Sequence, residues 1–308
     1  MSVAFVFPGQ GSQTPGMLHR LPDHPCVRRT FEEISTELGY DVRALDSSEA
    51  LRSTVCLQLG LLVAGVAAAR MLEDEGIVPE AVAGLSIGAF GAAVHAHTLC
   101  LADCVRLVKQ RAELMEKNSP EGYGLAAIIG LNEGQVVALI DDANSRENPV
   151  YLGNVNAPEQ IVITGSWDGV QKVLNAALKS GALRAERLNV PVLSHSPLLQ
   201  PVADALTQTL QSIPLHAPRM VYVANVNARA MRTPQEIARD LANNIAHGVR
   251  WFEATTVLEE LGCSLFIEMP PGHVLTNLAK QSIPQVRTIA FTESSLSYIV
   301  NQSLRHLG

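Results

Sequence analysis

The sequence predicts an α/β protein: an α/β-hydrolase-like core with a mostly parallel sheet, interrupted by a ferredoxin-like (βαββαβ) subdomain. Three observations carry that prediction. Short, wholly apolar runs alternate with helical patterns. A serine between two glycines, Gly84-Leu85-Ser86-Ile87-Gly88, follows one of those runs. The stretch 124–190 changes order, to strand, helix, strand, strand, helix, strand.

The core strands are Val3–Phe7, Ala81–Leu85, Met220–Val226, Leu265–Glu268 and Arg287–Phe291. Their apolar residues run together instead of alternating, as in strands covered on both faces. Helical patterns span Leu51–Glu75, Leu101–Asn118, Pro234–Ala246 and Trp251–Leu261, and strand–helix alternation of this kind predicts a parallel sheet between helical layers. In the middle, the strands are Leu125–Ile129, Val150–Asn154, Gln160–Thr164 and Arg184–Leu188, and the helices are Glu133–Ala143 and Asp168–Ser180. That order is the ferredoxin-like signature. Gly122, Gly124 and Pro191 punctuate its ends. The predicted division is therefore a core of 1–123 and 191–308 and a subdomain of 124–190, with a cleft between them.

A chain of 308 residues, 47% hydrophobic and 17% charged, can bury a sizeable core without disulfides or a structural metal. Its formal net charge of −7 and lack of a basic block argue against a nucleic-acid partner. An acidic partner would have to use local basic residues such as Lys109, Lys117, Arg184 and Arg187. The five cysteines are odd in number and scattered, which points to free thiols in a reducing cytoplasm and to no metal site. Residues 54–69 form the longest apolar stretch, but Gln58 interrupts it and Arg70 ends it. A membrane span needs roughly 20 apolar residues, so a buried core helix is expected. The first strand begins without a basic leader or cleavage pattern, so no signal peptide is expected.

The glycines around Ser86 permit a sharp strand-to-helix turn that lifts a hydroxyl out of the sheet. The helix behind it offers main-chain N–H groups and positive potential to a developing oxyanion. Phe7–Gln13 leaves the first strand as a Gly-rich loop without the Gly-Lys-Ser/Thr of a phosphate loop. At the carboxyl edge of a parallel sheet it would lie beside the elbow. The N–H of Gln10 would then be a second oxyanion donor, alongside that of Ile87.

On a helical wheel at about 100° per residue, Arg106, Lys109, Gln110, Glu113 and Lys117 share a polar face. Arg111 falls in the opposite arc, with Cys104, Leu107, Val108, Leu114 and Met115. A guanidinium there keeps its charge and needs an anionic partner. That partner is either an internal carboxylate or the carboxylate of a substrate held by a two-pronged clamp. His195, in Val192–Pro197, competes with eight other histidines as a base; His95 and His97 follow Ser86 on its own helix and would have to fold back. No aspartate stands out as a third member.

In this order, the Phe7–Gln13 loop, Gly84–Gly88, Gln110-Arg111, an Asn154–Pro158 turn containing Asn156, Ser194-His195 and Pro270-Pro271-Gly272 resemble the malonyl-CoA:acyl-carrier-protein transacylase family over nearly the whole chain. The resemblance implies malonyl transfer from malonyl-CoA to a phosphopantetheine-type thiol of an acyl carrier protein, with no bound cofactor. Ser86 would be the nucleophile and His195 its base, and Arg111 would bind the malonyl carboxylate. A main-chain carbonyl, assigned by position to Arg250, would orient His195 in place of a carboxylate. The chain departs from many members at Leu85, where they carry His, and at Arg250, where they carry Gln. Within the family, GLSIGAF (84–90) and GYGLAAIIGL (122–131) resemble the epsilon subunit of malonate decarboxylase; a transacylase of fatty acid or polyketide synthesis is the alternative. Two other classes share parts of the pattern. A thioesterase or esterase would show a Ser…Asp…His order and an HGGG-like loop, and a non-catalytic carrier-binding subunit would not acylate Ser86.

Overall fold

The computed structural model describes residues 2–307. Six strands form the large sheet: β1 (Ser2–Phe7), β2 (Ala81–Gly84), β7 (Val221–Val223), β8 (Ala230–Met231), β9 (Cys263–Glu268) and β10 (Arg287–Ala290). Their order is β10-β9-β1-β2-β7-β8, parallel throughout except for the β7–β8 pair at one edge. Central β1 explains why its sequence does not alternate. Val3, Phe5 and Phe7 pack into a core shared with α1 (Pro25–Leu38), α2 (Thr54–Asp74), α3 (Gly88–His95) and α4 (Leu101–Asn118). Ala4 and Val6 face the other way, toward α9 (Trp251–Glu260) and α10 (Val274–Ser282). Both faces of the strand exclude water, so both residue sets are apolar.

The apolar helix is α2. By length and composition it could cross a membrane, but 83% of its apolar window is buried within the protein. Its Gly and Ala residues let it pack closely: a Cβ on Gly65 would lie 2.9 Å from the Phe7 ring.

The smaller sheet consists of β3 (Tyr123–Ile129), β4 (Val150–Ala157), β5 (Gln160–Ser166) and β6 (Arg184–Arg187). Its order is β4-β5-β3-β6, antiparallel throughout, which is the ferredoxin-like arrangement. The helices α5 (Glu133–Ala143) and α6 (Trp167–Lys179) contribute Val136, Ile140, Val170, Val173 and Leu174 to its separate core. Asn132 and Gln135 close a reciprocal capping box at the start of α5.

Main-chain hydrogen bonds tie the small sheet to the segment between α8 (Pro234–Asn243) and α9. The Val249 N–H donates to the Gly153 carbonyl (2.8 Å), and the Val155 N–H donates to the Val249 carbonyl (2.9 Å). Arg250 adds an ion pair to Glu133 of α5.

Two expectations change here. The strand expected over 220–226 ends at Val223, because Asn225 leaves the ladder to bind the elbow described below. Asn154–Pro158 is not a turn: Asn154 to Ala157 continue β4, and the chain reverses only at Pro158 and Glu159.

Candidate active site

The elbow follows from a close crossing of two chains at the carboxyl edge of the sheet. The Leu85 N–H donates to the Phe7 carbonyl (2.9 Å), so β2 ends against the last residue of β1. A Cβ on Gly88 would sit 2.2 Å from the Phe7 carbonyl oxygen, and one on Gly84 would sit 2.1 Å from the Gly88 carbonyl carbon. Only glycine fits at either position. Between them Ser86 is forced to φ +54°, a left-handed conformation that a serine adopts at a cost of about 1–3 kcal/mol when the surroundings impose it. Among the described residues, the N–H groups of Gln10 and Ile87 find no acceptor within the protein. Ile87 is the cap residue of α3, where such orphan donors belong.

The Ser86 hydroxyl meets both side chains singled out beside it. His195 Nε2 lies 2.9 Å from Ser86 Oγ, and Arg111 Nη2 donates to the same oxygen at 3.2 Å. His195 also has a positive φ, +55°. Its Nδ1 lies 2.7 Å from the Asn244 carbonyl oxygen and 3.2 Å from that of His247. Carbonyls only accept, so Nδ1 carries the proton and Nε2 presents its lone pair to the serine hydroxyl. Burial, reinforced by the nearby Arg111 charge and opposed by the two carbonyls, lowers the imidazole from 6.5 to about 4. The ring is therefore neutral at physiological pH.

The assignment of the orienting carbonyl to Arg250 is corrected. The Arg250 carbonyl accepts from the Ala254 N–H (2.9 Å) in the first turn of α9 and is not free. The Asn244 carbonyl lies just past the end of α8 (Pro234–Asn243), where a helix leaves its last carbonyls unsatisfied and its dipole negative. That end stabilises positive charge on the ring, so the site needs no aspartate there. Arg250 instead turns its side chain to Glu133 and Glu253. Asn156 is half-buried on β4, its Oδ1 unpaired among the described residues, and it makes no hydrogen bond to Ser86, His195 or Arg111.

Arg111 is 1% exposed. It makes no salt bridge among the described residues; Nη1 donates to Gln58 Oε1 (2.6 Å), Nε is unpaired, and the guanidinium lies 5.7 Å from the Phe90 ring centroid. Burial lowers it from 12.5 to about 9. The internal-carboxylate alternative is thereby removed. A buried cation with only neutral partners lacks the anion that its burial calls for. Gln58, the residue that interrupts the apolar run of α2, holds the guanidinium in place.

Three residues that brace the serine were not singled out in the sequence. Asn225 Oδ1 accepts from the Ser86 N–H (2.8 Å), and its Nδ2 donates to the Gly84 carbonyl (2.9 Å). Asp240 fixes Asn225, and Asn244 Nδ2 approaches the Ser86 carbonyl at 3.4 Å. An aspartate among Ile237, Ala238 and Leu241 on the buried side of α8 was the available signal. His95 is not a competitor, because its ring packs on Phe5 and Phe7. A groove of about 380 Å³, walled by Val137, Ile140, Tyr151, Leu152 and Pro197, opens onto His195 between the small sheet's α5 and β4 and the segment 246–248. Of the basic residues named for an acidic partner, Lys109 faces Glu113, Arg184 pairs with Glu186 and Arg187 lies over the Trp167 ring.

Comparison with known proteins places this geometry in a family. Residues 4–304 match the acyl transferase domain model. The malonyl CoA-acyl carrier protein transacylase of Escherichia coli K12 is 37% identical over 300 residues, 95% of this chain and 96% of the relative. The solved transacylase of Coxiella burnetii superposes with a TM-score of 0.93 at 35% identity, covering 100% of this chain and 98% of that one. A malonyl-transacylase solved in complex with its type II polyketide acyl-carrier protein superposes with a TM-score of 0.92 at 34% identity, covering 99% and 100%. The chain belongs to the malonyl CoA-acyl carrier protein transacylase family of acyl transferase domains.

Proposed function

We propose that the protein is a malonyl-CoA:acyl-carrier-protein S-malonyltransferase of fatty acid or polyketide synthesis. The observation that carries this reading is the buried, carboxylate-free Arg111 at 3.2 Å from a hydroxyl that His195 also touches. The substrate cleft lies between a core of 1–123 and 191–308 and an inserted unit of 124–190. Malonyl-CoA enters it, and its free carboxylate binds Arg111, which sets the thioester carbonyl over Ser86. His195 Nε2 takes the hydroxyl proton as Oγ attacks, and the N–H groups of Gln10 and Ile87 receive the oxyanion. Loss of one such donor costs about 3–4 kcal/mol of barrier. Collapse expels the CoA thiolate, which takes the proton from His195 and leaves a malonyl-serine ester. The phosphopantetheine thiol of the carrier then attacks the ester, with its proton passing to His195 and on to Ser86 Oγ. The chain's five free thiols suit a reducing cytoplasm.

The names of the relatives favour the fatty acid or polyketide role over the malonate decarboxylase role expected from residues 84–90 and 122–131. Those two segments are what keeps the epsilon-subunit reading as the second one.

Intact-protein mass spectrometry after incubation with malonyl-CoA tests both. One malonyl group should appear on the wild-type chain and not on Ser86→Ala, and holo-acyl carrier protein should discharge it. Discharge only by a carrier bearing a decarboxylase-type arm would favour the second reading. Steady release of malonate without any carrier would make the protein a hydrolase.

A further inference from the structure

We propose that Asp240 is a positioning residue that acts on Ser86 through Asn225. The proposal rests on the reading of Ser86 as nucleophile and adds a role for a carboxylate that does not touch the histidine. Asp240 is 3% exposed, and no basic side chain pairs with it among the described residues. Its oxygens accept instead from the main-chain N–H of Asn225 (3.0 and 3.1 Å), the N–H of Val226 (3.0 Å) and the Tyr222 hydroxyl (2.7 Å). Burying a carboxylate without a cation is expensive unless donors surround it. All three donors lie on the segment that carries Asn225.

That segment reaches the strained residue directly. The Asn225 side chain accepts from the Ser86 N–H and donates to the Gly84 carbonyl, so it spans the elbow on both sides of Leu85. Asp240 fixes the backbone of Asn225, Asn225 fixes the N–H of Ser86, and the N–H direction sets where Oγ points at φ +54°. Asn244 stands one helical turn beyond Asp240. Its carbonyl holds His195 and its side chain approaches the Ser86 carbonyl. Asp240 and Asn244, about 6 Å apart along the helix axis, thus fix both partners of the 2.9 Å Ser86–His195 contact. Buried carboxylates near catalytic serines commonly orient the base; this one orients the nucleophile.

The test is the single-turnover rate constant for malonyl-Ser86 formation, measured by rapid quench on the full chain. The burst amplitude reports the competent fraction separately. Asp240→Ala should lower the rate constant about 10- to 100-fold, the scale on which a misplaced reacting group acts, with the KM for malonyl-CoA nearly unchanged because Arg111 is untouched. Asp240→Asn keeps one acceptor for the two amides and should recover to within about threefold of wild type. Asn225→Ala should lose as much as Asp240→Ala, and the double variant no more than Asn225→Ala alone. A wild-type rate constant with reduced amplitude in Asp240→Ala would overturn the proposal, as would losses that multiply in the double variant. If Asp240→Ala does not fold, Tyr222→Phe removes one of the three donor groups and should slow acylation about two- to fivefold; an unchanged rate constant there would also overturn it. Ester formation on Ser86→Ala would instead refute the nucleophile assignment, whatever the Asp240 variants do.

Discussion

On the proposed role of Arg111, replacing it separates recognition of the malonyl carboxylate from the acyl chemistry. Burial lowers its guanidinium from 12.5 to about 9, so roughly 5 kcal/mol of the charged state's solvation is uncompensated in the empty site. A substrate carboxylate restores part of that through two charge-assisted hydrogen bonds of about 1.5–3 kcal/mol each. Desolvation of the carboxylate offsets a share of the gain, leaving about 3–4 kcal/mol, or 10²–10³ in rate. Arg111→Ala should therefore lower kcat/KM for malonyl-CoA about 10²–10³-fold while acetyl-CoA, which has no charge to pair, loses little or gains. Arg111→Lys, a point charge without the fork, should recover only part of the malonyl rate. Acyl-enzyme formation followed with both thioesters in parallel decides the matter. Equal losses for the two acyl groups would mean that the arginine only supports the fold. Arg111→Met is also expected to raise stability by about 1–2 kcal/mol in a thermal melt, because it removes an unpaired buried charge.

The pH dependence of acylation should show the lowered imidazole of His195. The base form persists down to about pH 4, so the rate should stay level from pH 8 to about 5, and an inflection near 6.5 would contradict the buried geometry. Because the folded value lies below the unfolded one of 6.5, the unfolded chain binds more protons between them, and stability should fall as pH drops through that window; melts recorded across it measure the effect. Gly88→Ala drives a Cβ into the Phe7 carbonyl and should destabilise the protein by about 3 kcal/mol or more, read from denaturant unfolding. Arg250→Gln removes half-exposed ion pairs to Glu133 and Glu253. It should cost about 1 kcal/mol of stability and leave the acylation rate within about threefold, whereas a large loss of rate would restore Arg250 as a partner of His195.

The parts legible in the sequence were those written in local pattern. The helix over Leu101–Asn118 has the bounds its period predicts, and the wheel placed Arg111 on the buried side because its neighbours at three and four residues are apolar. Most of the six elements around the small sheet were readable because they are short, apolar on one face and bounded by turn residues; β6 (RAER) was placed by its position in the order. The elbow was readable because a close chain crossing tolerates nothing larger than glycine. The parts that were not legible depend on main-chain atoms or distant pairs. A carbonyl that orients His195 belongs to no residue type, so its position in the family could suggest Arg250 while the helix end supplied Asn244. Asn225 meets Ser86 across 139 residues, and an asparagine at the end of an apolar run looks like any strand terminator. Asn156 was placed in a turn as part of the Asn154–Pro158 motif, yet the hairpin needs only Pro158 and Glu159.

The stitch at Val249 has a practical consequence for building hybrids. Residues 153–155 hold the same short stretch whose preceding carbonyls, at 244 and 247, align the base. A graft that exchanges only 124–190 with a relative would bring a new β4 against an old 244–250 and shift the imidazole by whatever the two strands disagree. Grafts that move 244–250 together with the insert preserve that alignment, so the natural unit of exchange is discontinuous in the chain.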